Sequence, residues 1–311
     1  MTKLLPLPAT VIGALVVLVA VVYFAFPDQL VEGGRWLRRY RAGLSAHEVT
    51  ATGHRIVYLE GGSGEPLVLL HGFGADKDSW PPIARILTRH YHVYAPDLPG
   101  FGDSTRDPSA NYGFAQQAER VEAFAQAIGL AQPFHLGGNS MGGAIAGVYA
   151  ARHPERLKSV WLIDPAGVAS ARISPMLTAV INGQNPMVVA STDEYIALMA
   201  LIFAHPPRIP GRIADALARA RAKNRDFDAR VFADLRAANF ALEKEMQRCP
   251  VPTLITWGDQ DRVVDPSGAT ILGSLLPRAT ISVMPGVGHV PMIEQPQATA
   301  TAYLEFRRGL K

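Results

Sequence analysis

The chain is 311 residues long and carries 30 Lys and Arg against 27 Asp and Glu, a formal net charge of +3. Residues 1–41 hold five of those bases and two of the acids, which accounts for the whole excess and leaves the remainder balanced. A balanced body offers no basic face to a nucleic acid, and the lone Cys249 excludes an intrachain disulfide and has no companions with which to ligate a metal.

The chain opens on an apolar segment. Ala9 to Phe26 is uncharged and apolar apart from Thr10, and eighteen helical residues reach about 27 Å, close to the hydrocarbon thickness of a bilayer. Trp36 and Tyr40 follow among Arg35, Arg38, Arg39 and Arg41, the mixture of aromatics and cations found at a membrane surface. Residues 1–41 are therefore expected to form a membrane anchor, one transmembrane helix with a basic juxtamembrane segment. A cleaved signal peptide is the alternative; it calls for a shorter apolar core and an A-x-A-like site, which is not evident near Ala20 or Ala25. The arginine cluster favours a body on the cytoplasmic side, while Lys3 and the terminal amine pull the other way.

Beyond the anchor the pattern is that of one globular unit. Residues 47–60 read as a hairpin turning at Thr52-Gly53. Strands and helices then alternate: strand 66–70, helix 79–90, strand 91–96, helix 114–129, strand 133–137, helix 141–153, strand 159–164. That rhythm predicts a mostly parallel α/β sheet with helices on both faces. It stops after Pro165 and resumes at Thr253, so the core is expected over 42–168 and 250–311, with an inserted helical cap over 169–249. Within the cap, Ser191-Thr192-Asp193-Glu194 reads as a capping box opening Tyr195 to Phe203, which is apolar nearly all round. Such a helix either packs on the main domain or forms a lid that guides an acyl chain. Arg208 to Arg236 holds eight Lys and Arg against four Asp and Glu, a solvated face or a docking surface for anionic head groups.

Candidate chemistry lies at the strand ends. Pro66 to Leu70 is continuously apolar, as a strand buried on both faces would be, and runs into His71-Gly72-Phe73-Gly74. Gly138-Asn139-Ser140-Met141-Gly142 reads G-x-S-x-G between a strand and a helix. That setting thrusts a serine out of a strained turn as a nucleophile, and glycines there let strand and helix pack without a clash. A serine hydroxyl needs a base to take its proton, and the base needs a carboxylate to fix its tautomer. His289, in a Gly-rich loop past Ile281 to Met284, is the candidate base. Asp261, past the strand at Thr253 to Gly258 and ahead of Val263-Val264, is the preferred acid; Asp259 competes, or merely closes the strand in a turn. The backbone N–H groups of Phe73 and Met141 are the candidate oxyanion donors. His71 is expected to brace its loop, and His135 to be a core residue of its strand. The plainer alternatives are a serine in a tight turn and an ordinary Gly-rich loop. No cofactor or metal is expected.

Together, His71-Gly72-Phe73-Gly74, Asp97-Leu98-Pro99-Gly100-Phe101-Gly102, the Ser140 turn, Trp257-Gly258 through Asp261, and Gly288-His289 resemble the α/β-hydrolase superfamily, from about residue 47 to the C-terminus. Lys77-Asp78-Ser79-Trp80, Gly143 after the turn, Asp164-Pro165-Ala166-Gly167 and the N-terminal apolar run are similar to membrane-anchored monoacylglycerol lipases of the α/β-hydrolase-domain type and to bacterial lipases. The resemblance implies an α/β-hydrolase sheet and ester hydrolysis on lipid-like substrates, monoacylglycerols first, through an acyl-enzyme. Ser140, Asp261 and His289 would be its triad, in the chain order of that superfamily, and the lipid ester and the bilayer its partners. Hydrolases that cleave carbon–carbon bonds in aromatic ring-fission products share the G-N-S-M-G-G turn and supply the alternative activity. A non-catalytic binding protein of the same fold is the further alternative. Epoxide hydrolases and haloalkane dehalogenases are disfavoured, because they place an aspartate where Ser140 stands.

Overall fold

The computed structural model describes residues 9–237 and 240–310; Lys3 of the expected anchor lies outside them. Helices α1 (Ala9–Ala25) and α2 (Pro27–Arg41) lead into a hairpin of β1 (Leu44–Ala51) and β2 (His54–Gly62). Thr52 and Gly53 turn it with φ of 46° and 77°, the two positive values that a tight hairpin turn with the right twist requires. There follow β3 (Glu65–Leu70), α3 (Pro81–Leu87), β4 (Tyr91–Pro96), α4 (Phe114–Ala127), β5 (Phe134–Asn139), α5 (Met141–Arg152) and β6 (Leu157–Ile163). Between β6 and the next strand stand α6 (Pro175–Ile181), α7 (Thr192–Ile202), α8 (Gly211–Ala222), α9 (Arg225–Ala237) and α10 (Leu242–Glu245). The chain closes with β7 (Thr253–Gly258), α11 (Ser267–Leu275), β8 (Ala279–Met284), α12 (Pro291–Glu294) and α13 (Pro296–Arg308).

The strands form one mixed sheet of eight in the order β1-β2-β4-β3-β5-β6-β7-β8. Only β1–β2 and β2–β4 pair antiparallel; every other neighbouring pair is parallel. Parallel neighbours need crossover helices, so the carboxyl ends of β3, β5, β6, β7 and β8 all open on one edge. Both faces are covered. Leu67 and Leu69 point into a layer with Trp80, Trp161 and Tyr303, while Val68 and Leu70 point into a second with Leu136, Leu162 and Ile255. The unbroken apolar run at 66–70 follows from this, and each buried leucine contributes roughly 1.5–3 kcal/mol. Trp161 stacks on Tyr303 at 4.4 Å and gives its indole N–H to Thr256 Oγ1 at 2.8 Å, so its one polar atom is satisfied.

The N-terminal segment departs from expectation. Pro27 lacks the N–H that a continuing helix needs but suits the first turn of a new one, and the stretch Val17–Ala25 and α2 are bent by 100°. Among the described residues no single helix is long and apolar enough to cross a membrane; the bent pair meets that test together, by length and composition only. Two of the four arginines assigned to a membrane surface bind the body instead. Arg35 Nη2 lies 3.3 Å from Asp76 Oδ2, and Arg39 Nε donates to Asp78 Oδ1 at 2.6 Å. The basic stretch from Arg208 is likewise partly used within the protein. Arg219 pairs with Asp28 at 3.2 Å, Arg221 Nη2 donates to Met187 O at 2.9 Å, and Arg230 donates to the carbonyls of Pro108 and Ala110.

In α7, Ser191 Oγ accepts the Glu194 N–H at 3.2 Å, as a capping box predicts. The returning Glu194 carboxylate takes the N–H of Ala190 rather than of Ser191, at 2.6 Å. Leu198 is the one fully buried side chain of that helix, and Ile196 is 53 % exposed.

Candidate active site

Ser140 stands between the end of β5 and the first residue of α5, with φ 56° and ψ −117°. A left-handed non-glycine residue costs about 1–3 kcal/mol and persists only where its surroundings over-determine it. Here they do: the Ser140 N–H donates to Ile163 O at 3.0 Å, and Ser140 O accepts from Ala144 N at 3.0 Å and Ala166 N at 2.9 Å. The flanking glycines are steric necessities. A Cβ on Gly138 would lie 2.1 Å from Gly142 O, and one on Gly142 would lie 2.2 Å from Leu70 O.

The loop after β3 closes over the serine, so tightly that a Cβ on Gly72 would sit 3.3 Å from Ser140 Cβ. His71 braces this loop. Its Nε2 accepts the Leu98 N–H at 3.0 Å, which assigns the proton to Nδ1, 2.8 Å from Gly72 O. Burial pushes its pKa down, in keeping with a neutral ring. The N–H groups of Phe73 and Met141 meet no acceptor among the described residues, and both residues line the same cavity as Ser140. Further along, Lys77 Nζ reaches Asp97 Oδ2 at 2.7 Å and Asp103 Oδ2 at 2.6 Å, while Asp97 also accepts the N–H of Lys77 and of Asp103, both at 2.7 Å. This buried pair stitches the Phe73 loop to the loop after β4. The sequence marks both residues only as parts of motifs and gives no sign that they meet.

Asp261 and His289 come together. Asp261 Oδ2 lies 2.7 Å from His289 Nδ1, and its Oδ1 accepts the N–H groups of Val263 at 2.7 Å and Val264 at 3.1 Å. Asp259 is exposed and accepts the Gly286 N–H at 2.7 Å, a turn contact at the strand end. His289 is 3 % exposed and held at both ends of its backbone, its N–H on Ile202 O at 2.8 Å and its O on Asn139 Nδ2 at 3.0 Å. With Nδ1 donating to the carboxylate, Nε2 is left as the basic nitrogen. It is buried without a hydrogen-bond partner among the described residues, and no hydrogen bond joins it to the Ser140 hydroxyl. His135 is a buried strand residue, between Ser159 Oγ at 2.9 Å and Glu65 Oε2 at 3.1 Å.

Two acidic residues that carried no role in the sequence join the site. Glu294 Oε1 accepts the Gly288 N–H at 2.8 Å and its Oε2 the Ala204 N–H at 2.9 Å, tying the His289 loop to the end of α7. Asp164, at the end of β6, is wholly buried with φ 44°. Asp164, Asp261 and His289 each place one donor atom within 4.8 Å of the others, a spacing that distance alone would let a cation bridge; the imidazole Nδ1, however, already donates to Asp261.

Ser140 opens into a cavity of about 310 Å³ walled by Phe73, Met141, Met176, Val180, Phe232 and Phe240, with Arg172, Arg236 and Asp265 also lining it. The fold and these motifs find a counterpart in known proteins. Residues 65–196 match the family model of the α/β-hydrolase fold, and lipase 1 of Psychrobacter immobilis is 38% identical over 88% of this chain and 87% of its own length. The chain belongs to the α/β-hydrolase family. Within that family, monoacylglycerol lipase ABHD6 of Rattus norvegicus is 30% identical over 91% of this chain and 88% of its own. Among solved structures, a bacterial membrane phospholipase A is 44% identical with a TM-score of 0.89, covering 97% of each chain. The family's breadth shows in a meta-cleavage product hydrolase of Pseudomonas fluorescens, 26% identical with a TM-score of 0.73, which covers 85% of this chain and 98% of its own.

Proposed function

We propose that this α/β-hydrolase is a membrane-bound serine hydrolase that cleaves the ester of a single-chain lipid, a monoacylglycerol in the first instance. The observation that carries the proposal is one apolar cavity with Ser140 at its wall, together with an Asp261–His289 pair whose histidine backbone is bonded to Asn139, the residue before that serine. At about 310 Å³, the cavity is at the small end of the roughly 300–1,000 Å³ typical of ligand sites, which suits one acyl chain better than two. Each buried methylene contributes about 0.8 kcal/mol to holding that chain. The helices α6–α9 act as the cap, with Met176 and Val180 of α6 and Phe232 of α9 facing the acyl chain.

In this mechanism Nε2 of His289 takes the Ser140 proton as Oγ attacks the ester carbonyl. The oxyanion that forms accepts hydrogen bonds from the N–H groups of Phe73 and Met141, and Asp261 stabilises the imidazolium. Collapse expels the glycerol oxygen, which takes the proton from Nε2 and leaves an acyl-serine. Water then attacks the acyl carbon, gives its proton to Nε2, and the fatty acid departs as Ser140 is reprotonated.

Membrane attachment is supported by exposed Val17, Leu18, Val19 and Phe24 on α1, by the stacked and exposed Trp36 and Tyr40 on α2, and by the membrane phospholipase A relative. Arg38 and Arg41 remain exposed beside them and carry the cytoplasmic orientation.

The test uses salt-washed membranes bearing the full chain, given a chain-length series of monoacylglycerols beside a diacyl phospholipid and an aromatic ring-fission product. Monoacylglycerol turnover should stay with the pellet and fall at least roughly a thousandfold in Ser140→Ala without loss of folding. Turnover of the ring-fission product alone would select the carbon–carbon hydrolase instead, and half the wild-type ester rate in Ser140→Ala would refute the nucleophile.

A further inference from the structure

Asp164 is a buried acid next to Asp261 and His289 that the mechanism above does not use. It follows Ile163 at the end of β6, between the Ser140 turn on one side and β7 on the other. Its N–H extends the sheet by one bond, to Thr256 O at 2.9 Å, and its Oδ1 accepts the Gly258 N–H at 2.8 Å. Its other oxygen, Oδ2, is buried with no hydrogen-bond partner among the described residues. The residue has φ 44° and no exposure, the second strained non-glycine at the site after Ser140. Strain of this kind is retained where a side chain must be held in place. What Oδ2 can meet is set by its neighbours: a donor atom of Asp164 lies within 4.8 Å of one on Asp261 and one on His289.

Two carboxylates this close in a buried site cannot both be charged against a single imidazole. Asp261 has the claims to the charge, since it accepts two backbone N–H bonds and the imidazole N–H. Asp164 has one amide donor. Granting the Ser140 mechanism, we propose that Asp164 is a positioning residue, a neutral carboxylic acid that donates its proton toward the Asp261 carboxylate and so holds the acid and the imidazole in register. The electrostatics agree: burial first, and then the negative charge of Asp261 and the more distant Glu294, push the Asp164 carboxyl well above the usual carboxylate range, with the Gly258 N–H acting against them. The charged or titratable groups facing it are Asp261 from the loop after β7, His289 from the loop after β8 and Glu294 from α12.

The experiment compares Asp164→Asn and Asp164→Ala in the full chain by pH–rate profiles of kcat/KM and by infrared difference spectra against wild type. Asparagine is neutral, keeps an acceptor for the Gly258 N–H and can still donate toward Asp261. Asp164→Asn should therefore stay within about threefold of wild type with its acid limb in place, and its difference spectrum should lack one protonated-carboxyl band present at neutral pH. Alanine removes the donor and leaves Asp261 with its full charge beside the imidazole, so the acid limb should move up by about half a pH unit or more and kcat fall about tenfold at similar KM.

A downward shift of the acid limb in Asp164→Asn would overturn the proposal, because it would mean that a negative charge had been removed. An unmoved limb in Asp164→Ala would reduce Asp164 to a brace for Gly258, and activity lost to a chelator and restored by a divalent ion would put a cation where the proton is assigned. If Asp164→Ala does not fold, the asparagine profile and the infrared band decide. Ser140→Ala, run in parallel, keeps the two questions apart: full activity there sinks the triad, while the infrared band still reports the protonation of Asp164.

Discussion

Lys77→Met tests whether the buried ion pair beside the active site is charged and structural. The lysine is 2 % exposed and Asp97 not at all, and Met fills nearly the same volume without the ammonium. Removing one partner of a buried pair costs about 3–5 kcal/mol, because a desolvated charge is left behind. Here the low end applies, since Asp97 keeps the N–H groups of Lys77 and Asp103 at 2.7 Å each. The bond to Asp103 adds little, as that carboxylate is 67% exposed and exposed pairs contribute about 0–1 kcal/mol. At about 2.1 cal/mol/K of unfolding entropy per residue, a loss of about 3 kcal/mol lowers the melting temperature of a body of roughly 270 residues by about 5 °C. Phe73 lies on the same loop, so kcat for ester hydrolysis should fall with little change in KM. The assay is thermal unfolding followed by circular dichroism, on wild type, Lys77→Met and Lys77→Met/Asp97→Asn. The double variant removes the stranded charge and should recover at least half of the lost stability. A fall below about 2 °C in the single variant, or no recovery in the double, would refute the buried-charge argument.

Two further outcomes are expected. Asp261→Asn should lower kcat by roughly a thousandfold and Asp259→Asn by less than about threefold, since only Asp261 reaches the imidazole; steady-state kinetics giving the reverse ranking would exchange their roles. His135 governs part of the acid stability: burial first, then the charge of Arg307, lower its pKa from 6.5 to about 4. The unfolded imidazole takes up a proton near pH 6.5 and the folded one only near 4, so this contribution is whole above pH 6.5 and drains away as the pH falls to 4. The shift corresponds to roughly 3 kcal/mol, and urea midpoints at pH 7 and 4.5 should differ less in His135→Gln than in wild type. Equal differences in the two proteins would contradict the assignment.

Much of this fold was legible because local rules and tertiary demands agree. The run Pro66 to Leu70 reads as a strand buried on both sides, and Thr52-Gly53 as the tip of a hairpin. Gly138 and Gly142 announced a turn with no room for side chains, and the clashes that a Cβ would make at both positions supply the reason. The preference for Asp261 over Asp259 rested on the apolar pair after it, and the N–H groups of that pair are what the carboxylate binds. Asp164 and Glu294 were not legible. Each acts through partners 94 and 6 residues away that pattern and propensity do not connect to it, and nothing in Asp-Pro-Ala-Gly distinguishes a buried acid from a turn residue.

The N-terminal segment shows where periodicity stops being informative. Aromatics and arginines after an apolar run describe a membrane surface by composition alone, whereas an ion pair depends on what folds back. Arg35 and Arg39 meet Asp76 and Asp78, which follow Phe73 by only a few residues. The helix that leaves the apolar segment is therefore bonded to the loop carrying a proposed oxyanion donor. Partly buried pairs of this kind are screened less by salt than surface pairs, and Arg39 holds Asp78 with two of its nitrogens, a geometry that resists rotation better than a single contact. Any tilt of α2 against the body is thus resisted by the same side chains that hold the loop beside Ser140, which is why those arginines belong to the architecture of the site.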